Sequence, residues 1–213
     1  MRLFLASAEL SHPSNDGELT RALTELAGPV SRIAVVANGR DSEPPEQRRQ
    51  RVAAETRSLD PLHAEAIELD LRDYADRPDA LDHALADIDL IWLTGGDMNL
   101  LRGLVRRTGL DTALRRRLTN DTIAYSGYSA GACLAGPALT VAELEGDPHG
   151  SRAIGWGGLA FVEVTIVPHV PPAGAPDNDF VKIVEHLRGR DLPCQPLRDG
   201  QALLVSGDRT RVI

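Results

Sequence analysis

A chain of 213 residues with 42% hydrophobic and 25% charged residues has enough apolar material for one substantial core, and its composition is that of an ordinary globular protein. A net charge of −8 leaves no basic footprint and argues against a nucleic-acid partner. No apolar run reaches the ~18 residues that a membrane span needs, and Met1–Leu5 leads into a strand, not a signal peptide. The two cysteines, Cys133 and Cys194, lack metal-ligand spacing, so a cytoplasmic chain with reduced thiols is expected.

Leu3-Phe4-Leu5-Ala6 reads as a short apolar strand. From Asp16 to Leu26 the spacing is helical: Leu19, Leu23 and Leu26 share a face, and Gly28-Pro29 ends the helix. Arg32–Val36 is apolar without alternation, the pattern of a strand buried on both faces. Asn38-Gly39 turns the chain, Pro44–Ser58 is a polar crossover helix, Ala66–Leu69 a weaker strand and Pro78–Ala86 a short helix. Leu90–Leu93 is the next strand and ends in Thr94-Gly95-Gly96-Asp97. Asn99 is placed to cap a helix that runs to Arg106, and Asp111 one that ends near Leu118. Thr122–Tyr125 follows as a strand. After a looser stretch from Glu143 to Gly158, the reading gives a strand over Phe161–Val167 and a helix over Asp177–Leu187. An edge hairpin, Gln201–Val205 with Thr210–Val212, closes the sequence. This β-α alternation with short connections predicts a single α/β domain over residues 1–213. Its expected form is three-layered, a mostly parallel sheet with helices on both faces.

The strand ending at Tyr125 leads into Gly127-Tyr128-Ser129-Ala130-Gly131-Ala132. Gly-x-Ser-x-Gly between a buried strand and small helix-forming residues is the pattern of a nucleophile elbow, a sharp turn that holds a serine hydroxyl clear of the backbone. The helix beyond Ser129 is expected to point N–H groups and a positive dipole end at the reacting atoms. An alkyl hydroxyl needs a base within hydrogen-bond reach. Of the six histidines, His83 and His186 fall in helices, and His12, His63 and His149 in polar loops. His169 follows the apolar run Val164–Val167 at the end of a strand, the edge where open α/β sheets bind ligands, and is the candidate base. Glu143, Glu145, Asp147 and Glu163 are the acids between serine and histidine that could orient the imidazole. The Gly95-Gly96 pair lets a backbone N–H approach a ligand, so the amides of Gly96 and Ala130 are the candidate oxyanion hole.

Together, Leu93–Leu101, Gly127–Ala132, Gly136-Pro137 and Val167-Pro168-His169 resemble peptidase E, the aspartyl dipeptidases whose wider family includes the cyanophycinases. The resemblance implies a fold similar to class I glutamine amidotransferases, flavodoxin-like in its layering, with serine in place of cysteine. It implies a serine peptidase with Ser129 as nucleophile, His169 as base, and Gly96 and Ala130 in the oxyanion hole. The family's acid, by the same resemblance, lies roughly fifteen residues after the serine. Leu144 falls there, and Glu143 is chosen as the acid, with Glu145 and Asp147 as alternatives. Aspartyl dipeptidases also place an arginine early in the helix after the histidine. The matching stretch here, Asp177–Lys182, is acidic with one lysine, which argues against strict Asp-X preference. Cys133 lies one helical turn past the elbow serine, not at its tip, and this disfavours glutamine amidotransfer.

The expected substrate is thus a short peptide or other small acyl compound, cleaved without a metal or organic cofactor by a monomer or homodimer. An esterase or amidase would use the same machinery. A catalytically silent binding protein that keeps the fold is the remaining alternative.

Overall fold

The computed structural model describes residues 1–137 and 157–213. Its main sheet is built from β1 (Arg2–Ala6), β2 (Arg32–Val36), β3 (Glu65–Glu68), β4 (Leu90–Leu93), β5 (Ala124–Tyr128), β8 (Ala202–Ser206) and β9 (Arg209–Val212). The strand order is β3-β2-β4-β5-β1-β8-β9. The first five in that order are parallel, and β8 and β9 close the far side as an antiparallel hairpin. β6 (Thr165–Val167) and β7 (Cys194–Pro196) form a separate two-stranded parallel ribbon.

The central strands are apolar throughout because both faces are covered, and the period of two assigns successive residues to opposite layers. Leu3, Leu5, Ala34, Val36, Ile91, Leu93 and Tyr125 pack on one face. They meet α3 (Pro78–Ala84), α4 (Met98–Thr108) and α5 (Leu110–Thr119) through Leu81, Leu101, Val105 and Leu114. Phe4, Ala6, Ile33, Val35, Leu90 and Trp92 pack on the other face, against Leu19, Ala22 and Leu23 of α1 (Glu18–Ala27). α2 (Pro45–Ser58) lies on that same face, where its Glu55 reaches Trp92. Full burial of side chains the size of Phe4 or Leu5 contributes about 1.5–3 kcal/mol each. The expected three-layer α/β fold is therefore the one observed.

Several boundaries differ from the sequence reading. The strand expected over Phe161–Val167 is only Thr165–Val167, because Phe161 and Val162 turn back to donate to the Ala135 carbonyl. The cap of α4 is Asp97, whose carboxylate accepts from the amides of Asn99 and Leu100. Asn99 therefore falls inside the helix. α5 starts from Gly109 in the left-handed region, not from Asp111. β5 begins at Ala124 and carries the chain straight through Tyr128. No helix among the described residues is long and apolar enough to cross a membrane.

Candidate active site

β5 delivers the chain to Ser129 at the carboxyl edge of the parallel strands, beside β1 on one side and β4 on the other. Ser129 has φ 50° and ψ −116°, a positive φ that costs a non-glycine residue about 1–3 kcal/mol. The surroundings hold it there. Its amide donates to the Ala6 carbonyl at 3.1 Å, and the hydroxyl of Tyr125 donates to the Gly131 carbonyl at 2.5 Å. A side chain at Gly131 has no room, since its Cβ would lie 2.2 Å from the Leu93 carbonyl oxygen. The helix after the serine, α6 (Ala130–Cys133), is a single turn. It therefore supplies little of the expected macrodipole.

The Gly95-Gly96 turn is packed against this elbow: a Cβ on Gly95 would be 3.1 Å from the Cβ of Ser129. Gly96 takes φ 138°, and a Cβ there would meet the Gly39 carbonyl oxygen at 2.4 Å. That carbonyl accepts the Asp97 amide at 2.6 Å, which ties the turn to the loop after β2. Of the two amides expected to hold an oxyanion, that of Gly96 thus belongs to a turn packed against the elbow, and that of Ala130 follows Ser129 in the chain.

His169 follows β6 and Pro168 with φ 56°. Its Nε2 is 3.0 Å from Ser129 Oγ, and its Nδ1 is 2.7 Å from Asp199 Oδ1. An ionised carboxylate only accepts, so the bond to Asp199 keeps a proton on Nδ1 and turns the Nε2 lone pair to the serine. Phe180, on α7 (Asp179–Gly189), packs edge-on against the imidazole with centroids 5.2 Å apart. Asn178 caps α7 through the Val181 amide and donates from Nδ2 to the His169 carbonyl at 2.8 Å.

Of the residues singled out in the sequence, Ser129, His169, Gly96 and Ala130 converge. Glu143, Glu145 and Asp147 lie outside the described residues, as does His149. Glu163 is exposed in the bend before β6. Asp199, which the sequence reading passed over, is the carboxylate that the described residues bring to the imidazole. It lies in the turn Arg198-Asp199-Gly200 just before β8. Because β8 runs antiparallel to β1, its beginning lies at the same sheet edge as the ends of the parallel strands. That polarity is the signal that finds the acid. His12 also reaches this edge: its Nε2 is 3.8 Å from Asp199 Oδ2, and its Nδ1 accepts the Ser14 amide at 3.1 Å.

A second polar group underlies the elbow. Tyr128, the residue before the serine, donates to Glu55 Oε1 at 2.5 Å and accepts from Arg40 Nη2 at 3.2 Å. Trp92 Nε1 donates to Glu55 Oε2 at 3.2 Å. Burial pushes the Glu55 carboxyl above its ordinary range, against the opposing pull of these donors. Cys133 is buried, with Sγ 3.3 Å from the Ile166 carbonyl oxygen, and burial pushes its thiol up to about 12. A thiol so placed is a packing element, as its position past the elbow suggests.

Residues 4–213 match the model of Peptidase family S51. Among solved structures, the chain is similar to a candidate peptidase E protein from Listeria monocytogenes EGD-e, with 19% identity and a TM-score of 0.74 over 100% of this chain and 97% of that one. It is also similar to a peptidase from an acI-B1 actinobacterium, with 21% identity and a TM-score of 0.69 over 100% of this chain and 86% of that one. At these identities the likeness establishes the fold. Among curated proteins, none matches the chain. The match over nearly the whole sequence settles the family: the chain belongs to Peptidase family S51, and that membership supports a peptidase function.

Proposed function

We propose that this protein is a serine peptidase that hydrolyses short peptides through an acyl-enzyme on Ser129, with His169 as general base and Asp199 as the orienting acid. One observation carries the reading: the unbroken line from Ser129 Oγ to His169 Nε2, and from Nδ1 to Asp199, on an elbow held at positive φ. In the proposed step Ser129 Oγ attacks the peptide carbonyl as its proton passes to Nε2. Asp199 stays ionised and stabilises the imidazolium. The amides of Gly96 and Ala130 take the oxyanion, and collapse expels the amine, which leaves with the proton from Nε2. Water activated by the same imidazole then releases the acid and restores the serine. No metal or organic cofactor enters these steps, and a cytoplasmic location and a dipeptide-sized substrate belong to the same proposal.

Strict Asp-X preference does not belong to it. Asn178 is engaged by the α7 amide and by His169, and the ammonium of Lys182 is paired with Asp179 at 2.7 Å. The test is a serine-directed phosphonate probe together with a dipeptide panel. Labelling and turnover are expected in the wild type and absent in Ser129→Ala. A folded wild type that is neither labelled nor active on any peptide sinks the reading, and turnover of small esters alone replaces it with an esterase.

A further inference from the structure

We propose that Ser7 is a positioning residue for this site, holding Asp199 and His169 in register with Ser129 from the end of β1. The inference rests on the hydrolase reading above and adds a residue to it. β1 ends at Ala6, Ser7 follows it, and this dipeptide bonds to all three segments that carry the site. The Ala6 carbonyl accepts the Ser129 amide at 3.1 Å, and the Ser7 amide donates to the Gln201 carbonyl, just past Asp199, at 3.0 Å. The Ser7 hydroxyl accepts the His169 amide at 2.7 Å and is 2.8 Å from Asp199 Oδ1.

The direction of these bonds matters. A hydroxyl has one proton to give. With the His169 N–H directed at Oγ, that proton is free for an acceptor, and two are near: Asp199 Oδ1 at 2.8 Å and the Leu197 carbonyl at 3.3 Å. The shorter bond, to a charged oxygen, is the stronger. Asp199 Oδ1 therefore receives two donors, the Ser7 hydroxyl and His169 Nδ1–H, and its position relative to the ring is fixed. His12 faces only the other carboxylate oxygen, at 3.8 Å, and is no substitute. Ser7 is fully buried, so water cannot replace its hydroxyl without new space. Only a small side chain that both accepts and donates fills this role. The hydrogen bonds of the Ser7 hydroxyl go to Asp199, the Leu197 carbonyl and the His169 amide, so it acts through Asp199 and the backbone of His169.

The test compares wild type with Ser7→Ala and with the near-isosteric Ser7→Cys, whose thiol is a poor donor and acceptor. Two quantities are read on protein shown to be folded by circular dichroism: the rate of phosphonate labelling at Ser129, and the downfield proton resonance of His169 Nδ1–H, assigned by its loss in His169→Gln. Removing one hydrogen bond to a charged group predicts labelling about ten- to a hundred-fold slower. The Nδ1–H resonance is expected to move upfield or to vanish by exchange with water. A purely structural serine would lower the melting temperature and leave both readouts in place. If Ser7→Ala does not fold, Ser7→Cys carries the comparison. Wild-type labelling rate together with an unmoved resonance in a folded variant overturns the role of Ser7 and leaves the hydrolase reading standing. If the wild type itself is not labelled, the hydrolase reading fails instead. The resonance then still decides whether Ser7 orders the imidazole: its loss in the variants supports the positioning, and its persistence overturns it.

Discussion

The two halves of the site are held in place by different means. The proposed nucleophile is fixed by backbone packing: the elbow lies against the Leu93 carbonyl, which leaves no space for a side chain at Gly131, and the Ala6 carbonyl takes the Ser129 amide. The imidazole and its acid hang from a two-stranded ribbon and a turn, secured by side chains, namely Ser7, Asn178 and Phe180. The difference teaches which perturbations separate folding from chemistry. Steric packing of main chain is all-or-none and shared with the core. Side-chain hydrogen bonds can be removed one at a time with the sheet intact.

The largest expected effect is on the side-chain half. Asp199→Asn keeps the size of the group but offers an amide where a carboxylate accepted, which favours the wrong imidazole tautomer. Turnover should fall about 10⁴-fold with the melting temperature nearly unchanged. Steady-state kinetics beside calorimetry checks this, and retention of full activity would break the comparison. On the backbone half, Gly131→Ala should act through stability. Its new Cβ would lie 2.2 Å from a carbonyl oxygen that belongs to a central strand. A loss of about 3 kcal/mol in urea unfolding is expected, and a variant as stable as wild type would show that the elbow can relax.

The smallest effect concerns the polar group beneath the elbow. Glu55 has a folded pKa above its unfolded value of 4.5. Between those two values the folded protein keeps a proton that the unfolded chain releases. Stability is therefore greatest below pH 4.5, falls as pH rises towards the folded pKa, and levels off above it, as far as this group is concerned. The urea midpoint followed by tryptophan fluorescence should show this decline in wild type. It should be missing in Glu55→Gln. An identical pH profile in the two proteins would remove Glu55 from the backbone half.

What the sequence made legible follows the same division. Apolar strands without alternation, helical leucine spacing and the glycines of the elbow are local signals; the first two placed the sheet and its two helical layers correctly, and the third marked the turn after β5 where Ser129 sits. His169 was legible because Val164–Val167 marks a strand end, although only Thr165–Val167 is strand and it lies in the ribbon, outside the main sheet. Asp199 was not legible by proximity in the chain. Its place beside His169 depends on the reversal of β8 against β1, a relation between strands that no local pattern expresses. The same holds for Ser7, which reads as the polar residue after an apolar strand and acquires its partners only from segments far along the sequence. Asp97 displaced Asn99 as the cap because a cap is fixed by which side chain faces the free amides, and neighbouring Asx residues compete for that place.

The position of β1 has a further consequence for how the protein comes into being. The ribosome makes this strand before either neighbour, yet it ends between them, with Leu3 opposite Tyr125 on one side and Val205 on the other. Its pairing must wait for chain that emerges much later, and such long-range closure slows folding. An apolar strand that waits so long is a segment for chaperones to shield. With Asp199 emerging last of the three, the proposed hydrolytic centre cannot assemble on a growing chain until nearly the whole described sequence has been translated. In the proposed hydrolase, activity thus waits for the end of synthesis.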